Sequence, residues 1–387
     1  MKYANGPLPQ PSSIIYDLKF REPPPTNESS QQVFFEDSSL YDGSWKDGKK
    51  HGNGYLLLSN DDKYKGDFNE DKFEGKGVYE WSNGQKYEGD WSNNKFNGKG
   101  KIIFSTKKTD DLPKSIFYEG DFVDGKKQGT GKYCNEITRE TYEGTFNNDK
   151  MDGKGKYISP DGEYDGDFVC GIKTGKATFI SQNGDKYVGE YKDNKKCGKG
   201  EMFFTNGDYY NGEFDNDLRN GKGEYKWKDG SKYIGDFVDD KKEGSGKLIF
   251  VNKDKYIGEF SNDMRNGKGK YINHRGGYYD GDWKNDVKEG KGIYCYRDGQ
   301  IYEGEFKNDI KNGEGCYQWI FGEKYVGNFT NGVIQGKGKY FWKEKEKDEN
   351  GNEKIVDKTL EGIFSNEKVQ FFQKEMKLNK KLAKLKK

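Results

Sequence analysis

Residues Lys232 to Phe260 read KYIGDFVDDKKEGSGKLIFVNKDKYIGEF, and the fold follows from this stretch. Tyr233, Gly235 and Phe237 recur at period two, so all three face one side of a strand. Asp239, Asp240, Lys241 and Lys242 are polar turn formers, Gly244 and Gly246 admit a positive φ, and Lys247 to Val251 (KLIFV) supply a second, β-rich strand. Asn252 to Asp254 turn the chain back to Tyr256, where the pattern restarts. A glycine between two aromatics on one face leaves a slot where rings from neighbouring strands lie against the backbone. Rings then stand in for an aliphatic core, because each buries a large apolar area.

The triplet recurs thirteen times: Tyr41/Gly43/Trp45, Tyr64/Gly66/Phe68, Tyr87/Gly89/Trp91, Tyr118/Gly120/Phe122, Tyr142/Gly144/Phe146, Tyr164/Gly166/Phe168, Tyr187/Gly189/Tyr191, Tyr210/Gly212/Phe214, Tyr233/Gly235/Phe237, Tyr256/Gly258/Phe260, Tyr279/Gly281/Trp283, Tyr302/Gly304/Phe306 and Tyr325/Gly327/Phe329. Leu360/Gly362/Phe364 is a degenerate fourteenth copy, as terminal repeats often are. The rings from Tyr64 to Phe329 are the expected core and also the candidate grooves for a partner. A second anchor, GxG, follows about ten residues on, as at Gly75/Gly77 and Gly221/Gly223; one copy has Gly175 followed by Ala177. Motif tyrosines are 23, 23, 31, 24 and 22 residues apart, then 23 apart seven times. The departures predict insertions at 105–115 and at 344–359, each a loop bulging from a regular array.

Composition agrees with such an array. Leu, Ile, Val and Phe supply only 70 of 387 residues, too few for compact globular cores. Aromatics nevertheless reach 16%, and 67 basic residues nearly cancel 66 acidic ones, so no net repulsion expands the chain. The predicted fold is an all-β, elongated, single-layer antiparallel meander of about fourteen β-hairpin repeats, of which the thirteen clear copies extend roughly 125 Å at two strands per repeat. Its stability is expected to be a sum of repeat and nearest-neighbour terms.

A YxGxF motif followed by GxG on a 23-residue period resembles the MORN (membrane occupation and recognition nexus) family, from Tyr41 to Phe364. The family consensus places His before the first Gly of GxG. Only His51 does so here, with Glu74, Asn97, Gln128, Asn220 or Glu289 elsewhere.

The ends differ from the array. Pro7, Pro9, Pro11, Pro23, Pro24 and Pro25 predict an extended segment over 1–40 that orders on a partner or remains a loose tail. Repeats one to thirteen occupy 41–343, and the degenerate copy occupies 360–367. Residues 368–387 carry eight Lys and one Glu, with Phe371, Leu378, Leu382 and Leu385 at helical spacing, which predicts a short basic amphipathic α-helix. Lys374, Lys377, Lys381 and Lys384 are its candidate contacts to an acidic partner or lipid; a helix capping the last strand edge is the alternative.

Little in the sequence suggests catalysis. GxxxxG arises at Gly84/Gly89, Gly230/Gly235, Gly299/Gly304 and Gly322/Gly327, but Asp90, Asp236, Glu305 and Asn328 follow where a phosphate loop needs Lys. Aligning DNDLRNG (Asp215 to Gly221) to a calcium loop puts Leu218 and Trp227 at ligand positions. His51 and His274 read as surface or turn residues, and Cys134, Cys170, Cys197, Cys295 and Cys316 form no CxxC pair, so no metal site, cofactor site or disulfide framework is expected. Asp67, Asp90, Asp121, Asp167, Asp236 and Asp282 alternate with the inward rings and read as a solvated face. The balanced charge removes the footprint of nucleic-acid binding. The first residues lack an apolar signal region and no eighteen-residue apolar run occurs, so a cytoplasmic location is expected.

The expected function is a non-enzymatic scaffold for protein–protein contacts, including an extended peptide or another copy of the chain. The resemblance implies a cytoskeletal assembly, specifically a ciliary axoneme, by likeness to MORN proteins of radial-spoke heads. The alternative it implies is a membrane-apposed, lipid-binding adaptor similar to junctophilins, weakly held through the Lys-rich end.

Overall fold

The computed structural model describes every residue except 1–3, 27–28, 108–113, 348, 350–351, 372 and 375–387. The chain folds as two units, Met1–Thr205 and Asn206–Lys387. In the first, strands follow one another from Ser29–Phe34 to Lys195–Phe203, each paired antiparallel with its sequence neighbours. In the second, the same meander runs from Tyr209–Asp215 to Glu353–Ser365. The all-β repeat meander is therefore as the period of two predicts.

The hairpin is tighter than the sequence suggests. Lys232–Val238 and Lys241–Ile249 are joined by Asp239 and Asp240 alone, with φ of +46° and +67°. Two left-handed residues in a two-residue loop match the twist of the flanking strands, and Asn and Asp tolerate that conformation best after Gly. Lys241, Lys242, Gly244 and Gly246 thus belong to the second strand rather than to the turn. Gly244, at φ +61°, faces a bulge where the pairing shifts between Gly235 and Asp236.

The bulge explains the recurrent acids. Asp67 accepts the backbone N–H of Lys76 at 3.1 Å, Asp90 that of Lys99 at 2.8 Å, and Asp282 that of Lys291 at 3.0 Å. Asp121 takes Thr130 and Asp236 takes Ser245 in the same way. These carboxylates hold the bulge closed as well as facing solvent.

Within a repeat the ring lies over its own strand, which corrects the expectation of a slot filled from a neighbouring strand. Gly66 and Gly77 face each other across the hairpin, and Tyr64 covers both while its hydroxyl donates to the backbone oxygen of Asp67 at 2.9 Å. A methyl group on Gly66 would stand 2.5 Å from the Cα of Gly77. The correction applies equally to Gly89, Gly144, Gly212, Gly235, Gly258, Gly281, Gly304 and Gly327. A methyl group on any of them would strike the hydroxyl of the tyrosine two residues earlier in the same strand, so no neighbouring ring and no partner has room there. Phe68 stands edge-on to Tyr64 at 5.1 Å and to Tyr41 of the preceding repeat at 5.0 Å. Phe260 is clasped identically by Tyr256 and Tyr233, each at 5.1 Å. Such edge-to-face pairs contribute about 0.5–1.5 kcal/mol each beyond area burial. Ala177 stands opposite Gly166, in a repeat where the Tyr164–Phe168 angle is 74° against 87° for Tyr64–Phe68.

Neither insertion bulges as a plain loop in its described part. Strand Lys95–Lys107 stays paired with Lys114–Val123 out to Lys107 and Lys114. Val333–Lys347 and Glu353–Ser365 pair out to Lys347 and Glu353. Alternating charge drives the second case, with Lys345–Glu353 at 2.7 Å, Lys339–Glu361 at 3.1 Å and a Lys358–Glu346 pair across the ladder. In the degenerate repeat, Leu360, Gly362 and Phe364 oppose Tyr340, Gly338 and Gly336, the register of a full copy.

Residues 366–371 and 373–374 are helical, and Ser365 Oγ accepts the N–H of Lys368 at 3.3 Å as an N-terminal cap. Val369 is buried, and Phe371, the one member of the predicted stripe among the described residues, is exposed. Lys374 is exposed; Lys377, Lys381, Lys384, Leu378, Leu382 and Leu385 lie outside the described residues.

Candidate binding face

The expectation that the motif rings form grooves for a partner is corrected by their burial. Tyr64, Phe68, Tyr87, Trp91, Tyr118, Phe122, Tyr142 and Phe146 are buried, as are Tyr187, Tyr191, Tyr210, Phe214, Tyr233, Phe237, Tyr256 and Phe260. Tyr279, Trp283, Tyr302, Phe306, Tyr325 and Phe329 complete the set, of which the most open, Phe214, is only 7% exposed. The physical reason is the clasp between repeats: Trp91 is wedged between Tyr87 and Tyr64, Phe122 between Tyr118 and Tyr87, and Phe146 between Tyr142 and Tyr118. Tyr191 sits in the same way between Tyr187 and Tyr164, and Phe306 between Tyr302 and Tyr279. Phe214 stands edge-on to Tyr210 at 5.2 Å. These rings are the core and offer a partner no surface.

A second layer lies over them. It comprises the ninth, fifteenth and seventeenth residues after each motif tyrosine, which share the ring side because Phe73 pairs with Phe68 and Tyr79 with Tyr64.

Cations occupy the ninth position in most repeats. Arg265 lies 4.2 Å from the Trp283 ring centre, Lys173 4.7 Å from Tyr164 and Lys311 4.7 Å from Tyr317. Burial lowers the Lys127 ammonium to about 8, against a weaker upward pull from Asp149; burial likewise lowers Lys242 and Lys311. Tyrosines at the fifteenth position donate to acceptors two residues before the preceding motif tyrosine: Tyr79 to Asp62, Tyr225 to Asp208 and Tyr317 to Gln300, all at 2.7 Å. Asp254 is nearly covered. Burial pushes its carboxyl up, but hydrogen bonds from Tyr271, the His274 N–H and ring, and Asn252 outweigh this and hold it well below the usual range. His274 is thus a turn residue tied to Asp254.

The second residue of the tight turn ties adjacent repeats together at eight turns. Asp71, Asn94, Asp149, Asn194, Asp240, Asp263, Asp286 and Asp309 accept the backbone N–H of Lys50, Phe73, Lys127, Lys173, Arg219, Lys242, Arg265 and Lys288. The residue before the first glycine of GxG adds a second tie, as when Glu74 accepts the Asn93 N–H and Glu289 the Asn308 N–H, each at 3.0 Å. The consensus-histidine position is thus a turn clamp in these repeats. Gly48, Gly125, Gly171 and Gly332 replace the Asp or Asn of the first tie, at φ between +75° and +85°.

Three of these glycines meet the N-terminal segment. Asn5 Oδ1 accepts the Met151 N–H at 2.9 Å beside Gly171. Gln10 occupies the space beside Gly125 and donates to its backbone oxygen at 3.2 Å, and Pro24 lies beside Gly48. Between them, Lys127 Nζ donates to the oxygens of Ala4 (3.0 Å) and Gly6 (3.3 Å). Tyr79 OH accepts the Ser12 N–H at 3.0 Å, and the Trp81 indole donates to Gln10 at 3.0 Å. Ala4 and Leu8 are buried, Phe20 packs tilted against the Phe35 and Trp45 rings, and Ser29–Phe34 pairs with Leu40–Lys46. Much of the segment expected to await a partner is therefore seated on its own chain. The composition that predicted an extended backbone was right in kind, but proline spacing says nothing of the receptor.

The opposite side carries a groove of about 1440 Å³ in the first unit, lined by glycine backbones and by Lys76, Glu88, Lys99 and Glu119, and one of about 800 Å³ in the second. Gly66, Gly89 and Gly144 line the first and Gly281, Gly304 and Gly327 the second, whereas Gly212, Gly235 and Gly258 line neither. Its charges are cross-paired, as in Lys76–Asp90 and Lys99–Asp121, so the first groove presents no field of one sign. Among the described residues, no group of three or more His, Cys, Asp and Glu is placed to hold a metal, and no helix is long and apolar enough to cross a membrane.

No curated protein matches the chain. Among solved structures, the SAS-4 (dCPAP) TCP domain in complex with a proline rich motif of Ana2 (dSTIL) of Drosophila melanogaster aligns over 65% of this chain and 99% of its own, at 12% identity and a TM-score of 0.16. A streptogramin B lyase aligns over 66% and 82%, at 11% identity and a TM-score of 0.12. At these scores neither bears on fold or function. The MORN repeat family model matches thirteen stretches: 41–63, 64–86, 87–109, 118–135, 142–163, 164–186, 187–209, 210–232, 233–255, 256–278, 279–301, 302–320 and 325–345. Repeats and spacing agree with the structural units, and the chain belongs to the MORN repeat family.

Proposed function

We propose that the protein is a non-catalytic interaction scaffold whose ring side receives extended peptide segments. The observation that carries this reading is the seated N-terminal segment: its backbone is bonded by the side chains of Lys127, Tyr79 and Trp81, its Asn5 side chain by the Met151 N–H, and its side chains enter glycine notches. Main-chain bonds that recognise extended backbone, with notches that select side chains, are the elements of peptide recognition. The test uses the full chain carrying Asn5→Ala and Leu8→Asp, which release the segment. A labelled peptide of residues 4–24 is then titrated by fluorescence anisotropy. Saturable binding supports the reading, and no binding by the released chain overturns it.

The assembly we assign the scaffold to is cytoskeletal, with the ciliary axoneme as its place, on the resemblance to radial-spoke-head proteins. A tagged chain retained on detergent-extracted axonemes supports this, and a detergent-soluble membrane signal overturns it in favour of the lipid-binding adaptor.

A further inference from the structure

We propose that the notch at Gly332 is a second peptide site, which takes an Asp- or Asn-bearing extended segment of a partner protein; this rests on the reading of the ring side as a peptide receptor. Gly332 replaces the Asp or Asn that elsewhere accepts the ninth-position N–H, here that of Lys311. A Cβ added at Gly171 would strike Asn5, and one added at Gly125 would strike Gln10. One added at Gly332 would meet only Ile310, at 3.4 Å. The same notch is therefore filled in the first unit and open in the second.

The charge at the notch identifies what fits. Arg219, Arg265 and Lys288 each pair with the turn carboxylate of the following repeat, Asp240, Asp286 and Asp309, at 2.8, 2.8 and 3.4 Å. Lys311 has no such carboxylate, because glycine stands in its place, and among the described residues its ammonium meets no hydrogen-bond or ion-pair partner. Its surroundings are aromatic: Tyr317 at 4.7 Å, Tyr302 at 5.5 Å, and Tyr296 and Phe329 at 5.8 Å. A half-buried cation among rings, beside an N–H that lacks its usual acceptor, calls for a short anionic side chain that serves both. Asp meets this better than Asn, and Glu is one methylene too long for the place that Asp fills in the other repeats.

The flanking surface is open on one side. Tyr317, over Lys311, is half-exposed, as are the equivalent Tyr225, Leu248, Tyr271 and Tyr294, whereas Tyr340 in the repeat that carries Gly332 is buried. The chain's own C-terminal stretch is a poor occupant, since its eight lysines over 368–387 would meet Lys311 with like charge.

The test leaves the native segment in place and titrates the full chain with two labelled peptides, residues 4–24 and the same sequence with Asp replacing Asn5. The Asp peptide should bind more tightly, and Gly332→Asn should weaken it by about tenfold or more, as expected for loss of a charge-assisted bond. Gly332→Asn restores the residue type other repeats tolerate at this φ, so it should fold; Lys311→Met is the second variant. Binding unchanged by either variant, or no binding at all, overturns the proposal. If the peptide binds only after Asn5→Ala and Leu8→Asp, the receptor reading stands and the Gly332 site falls.

Discussion

Asn5 Oδ1 accepts the N–H of Met151, 146 residues away, in the space that Gly171 leaves open. The contact replaces the Asp or Asn that joins most adjacent repeats. It predicts different fates for two variants. Asn5→Ala should speed hydrogen exchange at the Met151 amide, whereas Gly171→Asn should keep that amide protected while evicting Asn5. Both should release residues 4–12 to proteolysis, at a cost near 1 kcal/mol. A Met151 amide that exchanges equally in all three chains would show that the bond does not form.

Tyr79→Phe should destabilise the first unit by about 1–3 kcal/mol, because it strips Asp62, which is 3% exposed, of a hydrogen bond. It also removes the acceptor of the Ser12 N–H. Denaturant unfolding followed by tryptophan fluorescence measures it, and Tyr225→Phe, whose partner Asp208 is half-exposed, is the milder control.

Gly66→Ala should cost more than Gly77→Ala. The first methyl would strike backbone, 2.5 Å from the Cα of Gly77, whereas the second would meet the Tyr64 ring, a side chain that can tilt, and Ala177 stands at the equivalent place opposite Gly166. Expected losses are about 3 kcal/mol and about 1–2 kcal/mol. Equal midpoints would refute the distinction.

Lys127 gives the pH dependence. Burial places its ammonium at about 8, below the ordinary lysine value, so between about 8 and 10.5 the unfolded chain binds the extra proton and stability rises with pH. The gain should approach at most about 3 kcal/mol. Below pH 8 both states are protonated and the burial penalty is fully present. Lys127→Met, which copies Met151 one repeat later, should flatten this slope in denaturation at pH 8 and pH 10. A slope identical in both proteins would exclude Lys127 as its source.

The repeat was legible because Tyr233, Gly235 and Phe237 sit at period two and return every 23 residues. The strand that bears each ring was not, since a glycine's lack of a side chain does not say which neighbour fills the gap. Period two likewise puts Trp91 on one face without saying that Tyr64 of the preceding repeat closes over it. Asp67 and its equivalents looked merely solvated, because a bulge leaves no mark in alternation. The seated segment lay furthest from reach: part of its receptor, at Gly125, Lys127 and Met151, lies more than a hundred positions away. The signal was nevertheless present, in Gly48, Gly125 and Gly171 standing where other repeats carry Asp or Asn.

Residues 4–24 touch hairpins from Met151 back to Gly48, while each hairpin bonds only to those beside it. The segment laces several independently melting rungs into one cooperative block. Cutting it loose would leave every contact between motif rings in place and yet let the first unit fray from its end, one rung at a time.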